Sequence, residues 1–265
     1  MDSHSGMIGF YAKQLKLPCF SKYQTVAREA EQNGWGYAEF LLRIMKNEVA
    51  HRQENQRRQK MHQAKFPVIK TLDEFDFKNL LHVDPAVIWQ LADCQYIQRK
   101  EGIVFCGNPG TGKTHLATAL GLKACEKGLR VRFYTAAGLV NDLLEAQQNH
   151  TLSRLIQQIG KLHLLILDEL SYLTFARPSA ELLFQVLSGR NERGSVIITT
   201  NLEFSRWTEV FGDPMLTAAV VDRMTHRSHI IDTNGPSYRL RQRVSASEQF
   251  GGEPQEKDSD QGIVD

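Results

Sequence analysis

The sequence lacks the cysteine patterns of a metal site or a disulfide framework. Its four cysteines, Cys19, Cys94, Cys106 and Cys125, are scattered along the chain and form no C-x-x-C pair. Scattered cysteines are typical of proteins in a reducing compartment, where they serve as small core residues. We therefore expect a cytoplasmic protein without a zinc site.

The sequence also lacks long apolar runs and a strong net charge. No run approaches the roughly 18 residues of a membrane-spanning helix, and the first residues, MDSH, do not resemble a signal peptide. Residues 244–265 hold six acidic residues and one lysine, a net of −5, so the rest carries +2 − (−5) = +7. We expect no membrane partner, a disordered acidic tail at 244–265, and a charge balance that permits a nucleic-acid partner without proving one.

A phosphate-binding motif lies near the middle of the chain. Residues 107–114, GNPGTGKT, fit G-x-x-x-x-G-K-[ST], with an apolar run at 103–106 before them and an Ala/Leu-rich segment after them. The order strand, glycine loop, helix places backbone N–H groups around an anion. Lys113 would contact the β- and γ-phosphates of ATP, and Thr114 would bind Mg²⁺. The predicted nucleotide-binding residues are Gly107, Asn108, Pro109, Gly110, Thr111, Gly112, Lys113, Thr114 and His115.

The chain alternates between strands and helices from the motif onwards. Strands are predicted at 103–106, 131–134, 164–167, 195–199 and 229–232, with helices at 113–127, 137–148, 152–160, 178–191 and 214–225. This alternation predicts an α/β fold with a parallel five-stranded sheet. Before it, helices at 8–15, 21–33 and 37–65 predict a small helical domain. The predicted division is a helical domain at 1–66, a linker at 67–82, an ATPase domain at 83–243 and the tail at 244–265.

Polar residues follow the third and fourth predicted strands. Asp168 and Glu169 end the third strand, and Asn201 follows the fourth. In parallel sheets, ligands bind at the edge where strands end. Asp168 would hold Mg²⁺ through its water shell, Glu169 would polarise the attacking water, and Asn201 would orient that water or contact the γ-phosphate. A turn-forming asparagine is the alternative interpretation of Asn201.

Two arginines complete the predicted catalytic set. Arg223, on the predicted helix 214–225, is a candidate arginine finger, and a structural salt bridge is its alternative role. Arg239 is a second cationic candidate. The predicted catalytic residues are therefore Lys113, Asp168, Glu169, Asn201, Arg223 and Arg239, and the predicted metal ligands are Thr114 and Asp168.

The end of the long N-terminal helix is basic. Residues 51–65 contain five Lys or Arg against one Glu, and the helix loses its apolar face after Val49. Two interpretations remain open: a solvated helix face, or an arm that contacts the phosphates of DNA. The predicted DNA contacts on this helix are Arg52, Arg57, Arg58 and Lys60.

The order of these motifs resembles that of the AAA+ ATPases. It is most similar to the clade that holds the bacterial helicase loader DnaC and the transposition helper IstB, and the N-terminal helical part resembles IstB. The resemblance covers about residues 70–243 by motif. It implies that residues 107–114 form the Walker A motif and Asp168-Glu169 the Walker B motif. Asn201 would then be sensor 1, Arg239 would be sensor 2, and Arg223 would be an arginine finger that acts on a neighbouring subunit. Only about 30 residues follow the fifth strand, so we expect no helical lid domain.

The resemblance also implies a function. The two helices between the second and third strands resemble the extra helix of the initiator clade, in which Arg154 and Lys161 would contact DNA; a simple crossover hairpin is the alternative. IstB-type proteins imply an ATP-dependent homo-oligomer that binds double-stranded DNA with low sequence specificity and stimulates a DDE-type transposase. The alternatives are a DnaC-like helicase loader and a DNA-bending scaffold in which nucleotide acts only as an assembly switch.

Overall fold

The computed structural model describes residues 3–80, 82–171, 174–235 and 237–238. The chain folds into helices followed by an alternating α/β region. The α-helices are α1 (Ser3–Gln14), α2 (Tyr23–Asn33), α3 (Tyr37–Ala64), α4 (Pro85–Ala92), α5 (Gln95–Gln98), α6 (Lys113–Glu126), α7 (Ala136–Gln148), α8 (Leu152–Gly160), α9 (Arg177–Arg190), α10 (Thr208–Phe211) and α11 (Pro214–Thr225). The strands are β1 (Gly102–Cys106), β2 (Val131–Thr135), β3 (Leu164–Asp168), β4 (Ser195–Thr200) and β5 (Ser228–Asp232).

The five strands form one parallel sheet in the order β2-β3-β4-β1-β5. Every residue of β3 and β4 is buried, as expected of central strands covered on both faces. Because all strands run the same way, they begin at one edge, here called the amino edge, and end at the other, the carboxyl edge. The predicted parallel α/β fold is confirmed.

Helices cover both faces of the sheet. One face packs against α4, α5 and α6, with Ile88, Ile97 and Leu120 in its core. The other face packs against α7, α9 and α11, with Leu143 and Leu183 in its core. These two apolar layers fix the strands in place, and the strands in turn position the residues of the candidate site at the carboxyl edge.

The N-terminal helices differ in detail from the sequence prediction. α2 begins at Tyr23 rather than Ser21, because Pro18 starts a 3-10 helix that runs to Lys22. On α3, Ile44 is 3% exposed, but the other apolar positions of its first half remain about half exposed: Leu41, Met45 and Val49. The periodicity therefore predicted the helix correctly but not how much of its apolar face is buried.

The basic end of α3 is anchored to the sheet. Ala64 is fully buried in the cluster around α6, with Met61 packed against it. The Arg132 guanidinium donates to the Gln63 carbonyl oxygen at 3.0 Å. The expectation that this half of α3 has no apolar contacts is therefore wrong for its last turn. The following segment, 67–82, also contributes Leu72 and Leu80 to the same cluster.

No lid and no membrane span occur in the described part of the chain. No helical domain follows β5 within the described residues, and the segment after β5 turns back towards residues 107–112. No described helix is both long enough and apolar enough to cross a membrane. Arg239 and the predicted tail, 244–265, lie outside the described residues.

Candidate nucleotide-binding site

A pocket of about 600 Å³ opens at the carboxyl edge, beside the first turn of α6. Pockets of this size accommodate small-molecule ligands such as nucleotides. It brings together most of the predicted site with residues of the segment before α4. Its lining is Pro67, Val68, Lys70, Glu74, Phe75, Asp76, Pro109, Gly110, Thr111, Gly112, Lys113, Thr114, His115, Thr118, Glu169, Thr199, Asn201 and Tyr238.

The glycine loop takes a conformation that only glycine adopts easily. Gly107 and Gly112 have φ angles of +145° and +93°. A Cβ atom on Gly112 would lie 2.6 Å from Cε2 of Phe75. α6 then begins at Lys113 without a side-chain cap on its first N–H groups. These N–H groups face the pocket at the positive end of the helix dipole, which suits a phosphate group.

Lys113 lies inside the curve of this loop. Its Nζ donates to the carbonyl oxygens of Gly107 at 2.7 Å and Asn108 at 2.6 Å. The residue is 7% exposed. The ammonium is therefore held in the concave side of the loop, next to the N–H groups that would bind the same phosphates.

Thr114, which lines the pocket, forms a hydrogen-bonded pair with Asp168 at the end of β3. The Thr114 hydroxyl lies 2.9 Å and 3.1 Å from the two carboxylate oxygens of Asp168. The Thr199 hydroxyl donates to the same carboxylate at 2.5 Å. Burial raises the pKa of Asp168, while the hydrogen bonds from Thr199 and Thr114 oppose that rise.

This donor set fits Mg²⁺. Hydroxyl and carboxylate oxygens are the ligands that Mg²⁺ prefers, and the ion usually takes its remaining ligands from water and substrate phosphates. No group of three or more His, Cys, Asp or Glu residues able to hold a metal occurs among the described residues. A metal bound by Thr114 and Asp168 would therefore need a nucleotide and water to complete its shell.

Glu169 and Asn201 belong to the part of the pocket lining that follows β3 and β4. Glu169 has a positive φ of 60°, and its N–H donates to the Thr199 hydroxyl at 2.9 Å. The Asn201 N–H donates to the Ser171 hydroxyl at 3.2 Å. Both residues line the pocket, so the ends of β3 and β4 bring a carboxylate and a carboxamide to the same cavity.

The segment after β5 is hydrogen-bonded to the glycine loop, which the sequence did not lead us to predict. Thr233 is fully buried, and its hydroxyl donates to the Cys106 carbonyl at 3.0 Å and lies 3.2 Å from the Thr111 hydroxyl. The Asn234 side-chain oxygen accepts the Asn108 N–H at 3.0 Å. The signal was available, since this polar pair follows a strand that ends at the carboxyl edge.

The segment 67–76, read from sequence as a linker, forms one wall of the pocket. The His115 Nε2 lies 2.7 Å from the Thr71 carbonyl oxygen, so this nitrogen carries the proton and donates it. Burial lowers the pKa of His115. The Phe75 ring packs edge-on against His115, with 5.1 Å between ring centroids. The His115 side chain thus holds this wall against α6.

Arg223 lies away from the pocket of its own chain. It sits near the end of α11, at the amino edge, in a small cleft with Lys100, Arg190 and Arg227. Its guanidinium donates to the Ser188 hydroxyl and lies 4.8 Å above the Phe184 ring. Within the described part of the chain no carboxylate pairs with it, which does not support the salt-bridge alternative.

The predicted DNA-binding residues occupy two helical regions. Arg57 and Arg58 are exposed on α3, and Arg58 pairs with Glu54 at 3.0 Å. Arg52 instead bridges the buried Glu48 at 2.9 Å and donates to the Lys16 carbonyl at 2.7 Å. Lys60 is half-buried on the last turns of α3, whereas Arg154 and Lys161 are exposed on and just after α8.

The sheet, the glycine loop and the Thr114–Asp168 pair define a P-loop nucleotide-binding protein of the AAA+ class. A family model described as IstB-like ATP binding protein matches residues 11–246. The chain belongs to this family.

Relatives in insertion sequences share most of the chain. A Pseudomonas aeruginosa protein of insertion sequence IS21, named as ATP-binding, is 38% identical over 234 residues, which is 88% of each chain. A Geobacillus stearothermophilus protein of IS5376, named likewise, is also 38% identical over 234 residues, 88% of this chain and 93% of that one.

Solved structures share the fold. AMPPCP-bound DnaA from Aquifex aeolicus gives a TM-score of 0.52 at 18% identity, covering 73% of this chain and 59% of that one. DnaI gives 0.50 at 18% identity, covering 63% and 89%.

Proposed function

We propose that this protein is an ATP-hydrolysing regulator of DNA transposition. It would assemble on double-stranded DNA with low sequence specificity and stimulate a DDE-type transposase of its insertion sequence. The observation that carries the proposal is the buried Lys113 ammonium beside the Thr114–Asp168 pair, at the start of α6. The insertion-sequence context comes from the relatives, which are named as ATP-binding.

Catalysis in such a site consists of positioning and charge stabilisation. Lys113 and the first N–H groups of α6 would hold the phosphates. Mg²⁺, held by Thr114 and Asp168, would supply positive charge on the β- and γ-phosphates. Glu169 would orient water and accept its proton, and Asn201 would fix the direction of attack.

Calorimetry tests nucleotide binding first. Lys113→Ala should abolish ATP binding in the presence of magnesium, because the loop loses its buried cation. Lys127→Ala, at the exposed far end of α6, is the matched control and should bind as wild type does. If Lys113→Ala binds ATP with unchanged affinity, the nucleotide site has been misplaced.

Glu169→Gln separates an enzyme from a nucleotide switch. It should bind ATP normally but lose hydrolysis, since the amide does not accept the proton of water. If this variant supports complete transposition cycles, hydrolysis is dispensable, and the protein acts as a scaffold assembled by nucleotide.

The position of Arg223 supports a shared active site. Because it lies at the amino edge, it does not reach the pocket at the carboxyl edge of its own subunit. A neighbouring subunit would have to supply it, which requires a homo-oligomer.

Arg223→Ala and Lys113→Ala should each be inactive alone. Mixed one to one, they should regain about a quarter of wild-type ATPase activity, because random assembly restores that share of intact interfaces. No recovery at any ratio would rule out a shared site.

We assign DNA and partner binding to residues 1–66, with Arg154 and Lys161 as further DNA contacts, and nucleotide binding to 83–243 together with the pocket wall at 67–76. Arg57→Glu with Arg58→Glu should weaken duplex binding and reduce its dependence on salt. The matched control is Arg177→Glu with Arg206→Glu, which reverses two exposed arginines elsewhere. Unchanged affinity across salt concentrations would remove α3 from the DNA surface.

The partner is identified by pull-down of the purified protein against the transposase of its insertion sequence and a replicative helicase. Retention of the transposase with a preference for duplex DNA supports the proposal. Retention of the helicase with a preference for single strands would instead identify a helicase loader.

A further inference from the structure

Cations precede all five strands at the amino edge, opposite the nucleotide pocket. Within three residues of the first residue of each strand lie, for β1 to β5 in turn, Lys100, Arg130, Lys161, Arg193 and Arg227. Helices end at this edge, so part of the pattern reflects the attraction of cations to helix C-termini. Before β1 and β4 a carboxylate, Glu101 or Glu192, accompanies the cation, whereas none does before β2 and β3.

The charges converge where β2 and β3 begin. The Arg130 N–H donates to Nδ1 of His163 at 2.8 Å, and the His163 N–H donates to the Arg130 carbonyl at 2.9 Å. Burial lowers the pKa of His163, and Arg130, Lys100, Lys60 and Arg190 lower it further. All four of these groups are cations, and Lys60 brings a positive charge from α3 to this end of the sheet.

Beneath this surface lies a buried cation that no carboxylate neutralises among the described residues. Arg190 is 2% exposed and donates to the carbonyls of Ile159 at 2.7 Å and Ser195 at 2.8 Å. Because it is desolvated and close by, its charge adds to the positive potential outside. Carbonyl oxygens accept from both of its terminal nitrogens but leave its charge in place, and its buried Nε has no hydrogen-bond partner among the described residues.

The cations near the beginnings of β2 and β3 have no ion-pair partner. Within the described ranges, no carboxylate lies at ion-pair distance from the half-buried Lys60 or from the exposed Arg130 and Lys161, whereas Arg177 pairs with Glu181 at 3.1 Å on α9. Crowded like charges repel one another, and a polyanion bound across them would remove that repulsion.

We infer that Lys60, Arg130 and Lys161, here called the amino-edge patch, bind the phosphate backbone of double-stranded DNA. The inference rests on the proposed function and joins the predicted contacts on α3 to Lys161 through Arg130, which the sequence did not predict as a DNA contact. Arg57 and Lys60 are three residues apart and therefore share one face of α3. That face leads directly to Arg130, since the last turn of α3 packs against β2. The duplex follows α3 and then crosses the beginnings of β2 and β3.

The test measures duplex affinity at several salt concentrations for Arg130→Glu with Lys161→Glu. Losing two phosphate contacts should reduce the slope of log affinity against log salt by about 1.8 and weaken binding roughly 60-fold at 0.1 M salt. The control, Arg177→Glu with Arg206→Glu, makes the same change of charge at ion-paired arginines and should bind as wild type does. A second variant, Arg130→Gln with Lys161→Gln, removes the two charges without reversing them, and thermal unfolding checks that it is folded. It should show the same reduction in the slope of log affinity against log salt.

Three other outcomes overturn the inference in distinguishable ways. If wild type binds duplex DNA but the patch variants keep its affinity and slope, the inference fails and the proposed function stands. If the variants lose only single-stranded binding, the patch serves another nucleic acid. If wild type does not bind duplex DNA even at low salt, the inference and the proposed function fail together.

Discussion

Gly112→Ala tests whether the wall formed by residues 67–76 is packed against the glycine loop as the structure shows. Two costs arise at this position. The φ angle of +93° strains any residue with a Cβ, by about 1–2 kcal/mol. The new Cβ would also lie 2.6 Å from Cε2 of Phe75, and forced repacking of this kind typically costs about 1–3 kcal/mol.

Gly128 provides the matched control. Its φ angle is +77°, and a Cβ there would meet nothing within 4 Å. Gly128→Ala should therefore cost only the backbone strain, about 1–2 kcal/mol, whereas Gly112→Ala should cost about 2–5 kcal/mol. Gly128 also lies beyond the far end of α6, a 14-residue helix, about 21 Å from the loop. Because Gly112 lies in the phosphate-binding loop itself, Gly112→Ala should raise the Kd for ATP about tenfold or more. Gly128→Ala, far from the loop, should leave the Kd unchanged.

The assays are urea unfolding and calorimetric titration with ATP, combined in a double-mutant cycle with Phe75→Leu. In the Phe75→Leu background the smaller side chain can move aside, so the cost of Gly112→Ala should fall to the backbone strain alone. If Gly112→Ala and Gly128→Ala cost the same, or if Phe75→Leu brings no recovery, residues 67–76 do not pack on the loop as described.

Three further predictions concern other parts of the molecule. Glu48→Gln should lower the free energy of unfolding near neutral pH. Burial raises the pKa of Glu48, but the hydrogen bonds from Arg52 and the Cys19 N–H more than offset this, so its pKa is lowered overall. The stabilisation is therefore present above the ordinary carboxyl pKa, and urea titrations should show the difference from wild type disappearing below about pH 4; a difference independent of pH would contradict it. Asn234→Ala should weaken ATP binding about fivefold by removing the acceptor of the Asn108 N–H, with exposed Asn149→Ala as an unaffected control in the same calorimetric titration. Arg190→Leu should destabilise the fold by about 2–4 kcal/mol in urea unfolding, because the Ile159 and Ser195 carbonyls lose their donors, whereas exposed Arg193→Leu should change stability by less than about 0.5 kcal/mol.

The elements of the α/β region could be predicted because their local signals agree with their environment. β3 is a continuous apolar run and is buried throughout. In α4, the Asp84 side chain accepts the Ala86 N–H as an N-cap and Pro85 takes the first helical position, so this Asp-Pro pair marks the beginning of the helix. The bounds of α8 and α11 match the prediction residue for residue.

What the sequence could not supply were partners distant in the chain. Nothing local marks Phe75 as the neighbour of Gly112, or Thr233 as the neighbour of Thr111, since these contacts depend on the sheet bringing separate segments together. For the same reason, the apolar spacing of α3 did not show that Val49 stays exposed while Ala64 is buried. Periodicity identifies a helix, but burial depends on what packs against it.

The packing of α3 constrains how nucleotide and DNA could influence each other. Because Ala64 is buried against the sheet, the end of α3 is part of the ATPase core rather than a free arm. Phe66 continues this contact: its ring packs edge-on against Phe133, and a Cβ on Gly121 of α6 would lie 2.8 Å from it. Only a few residues further on, Val68 and Lys70 line the pocket. If a duplex binds along α3 as proposed, it contacts a helix that leads within a few residues into the nucleotide wall, so binding of either ligand would affect the other through this short, packed connection.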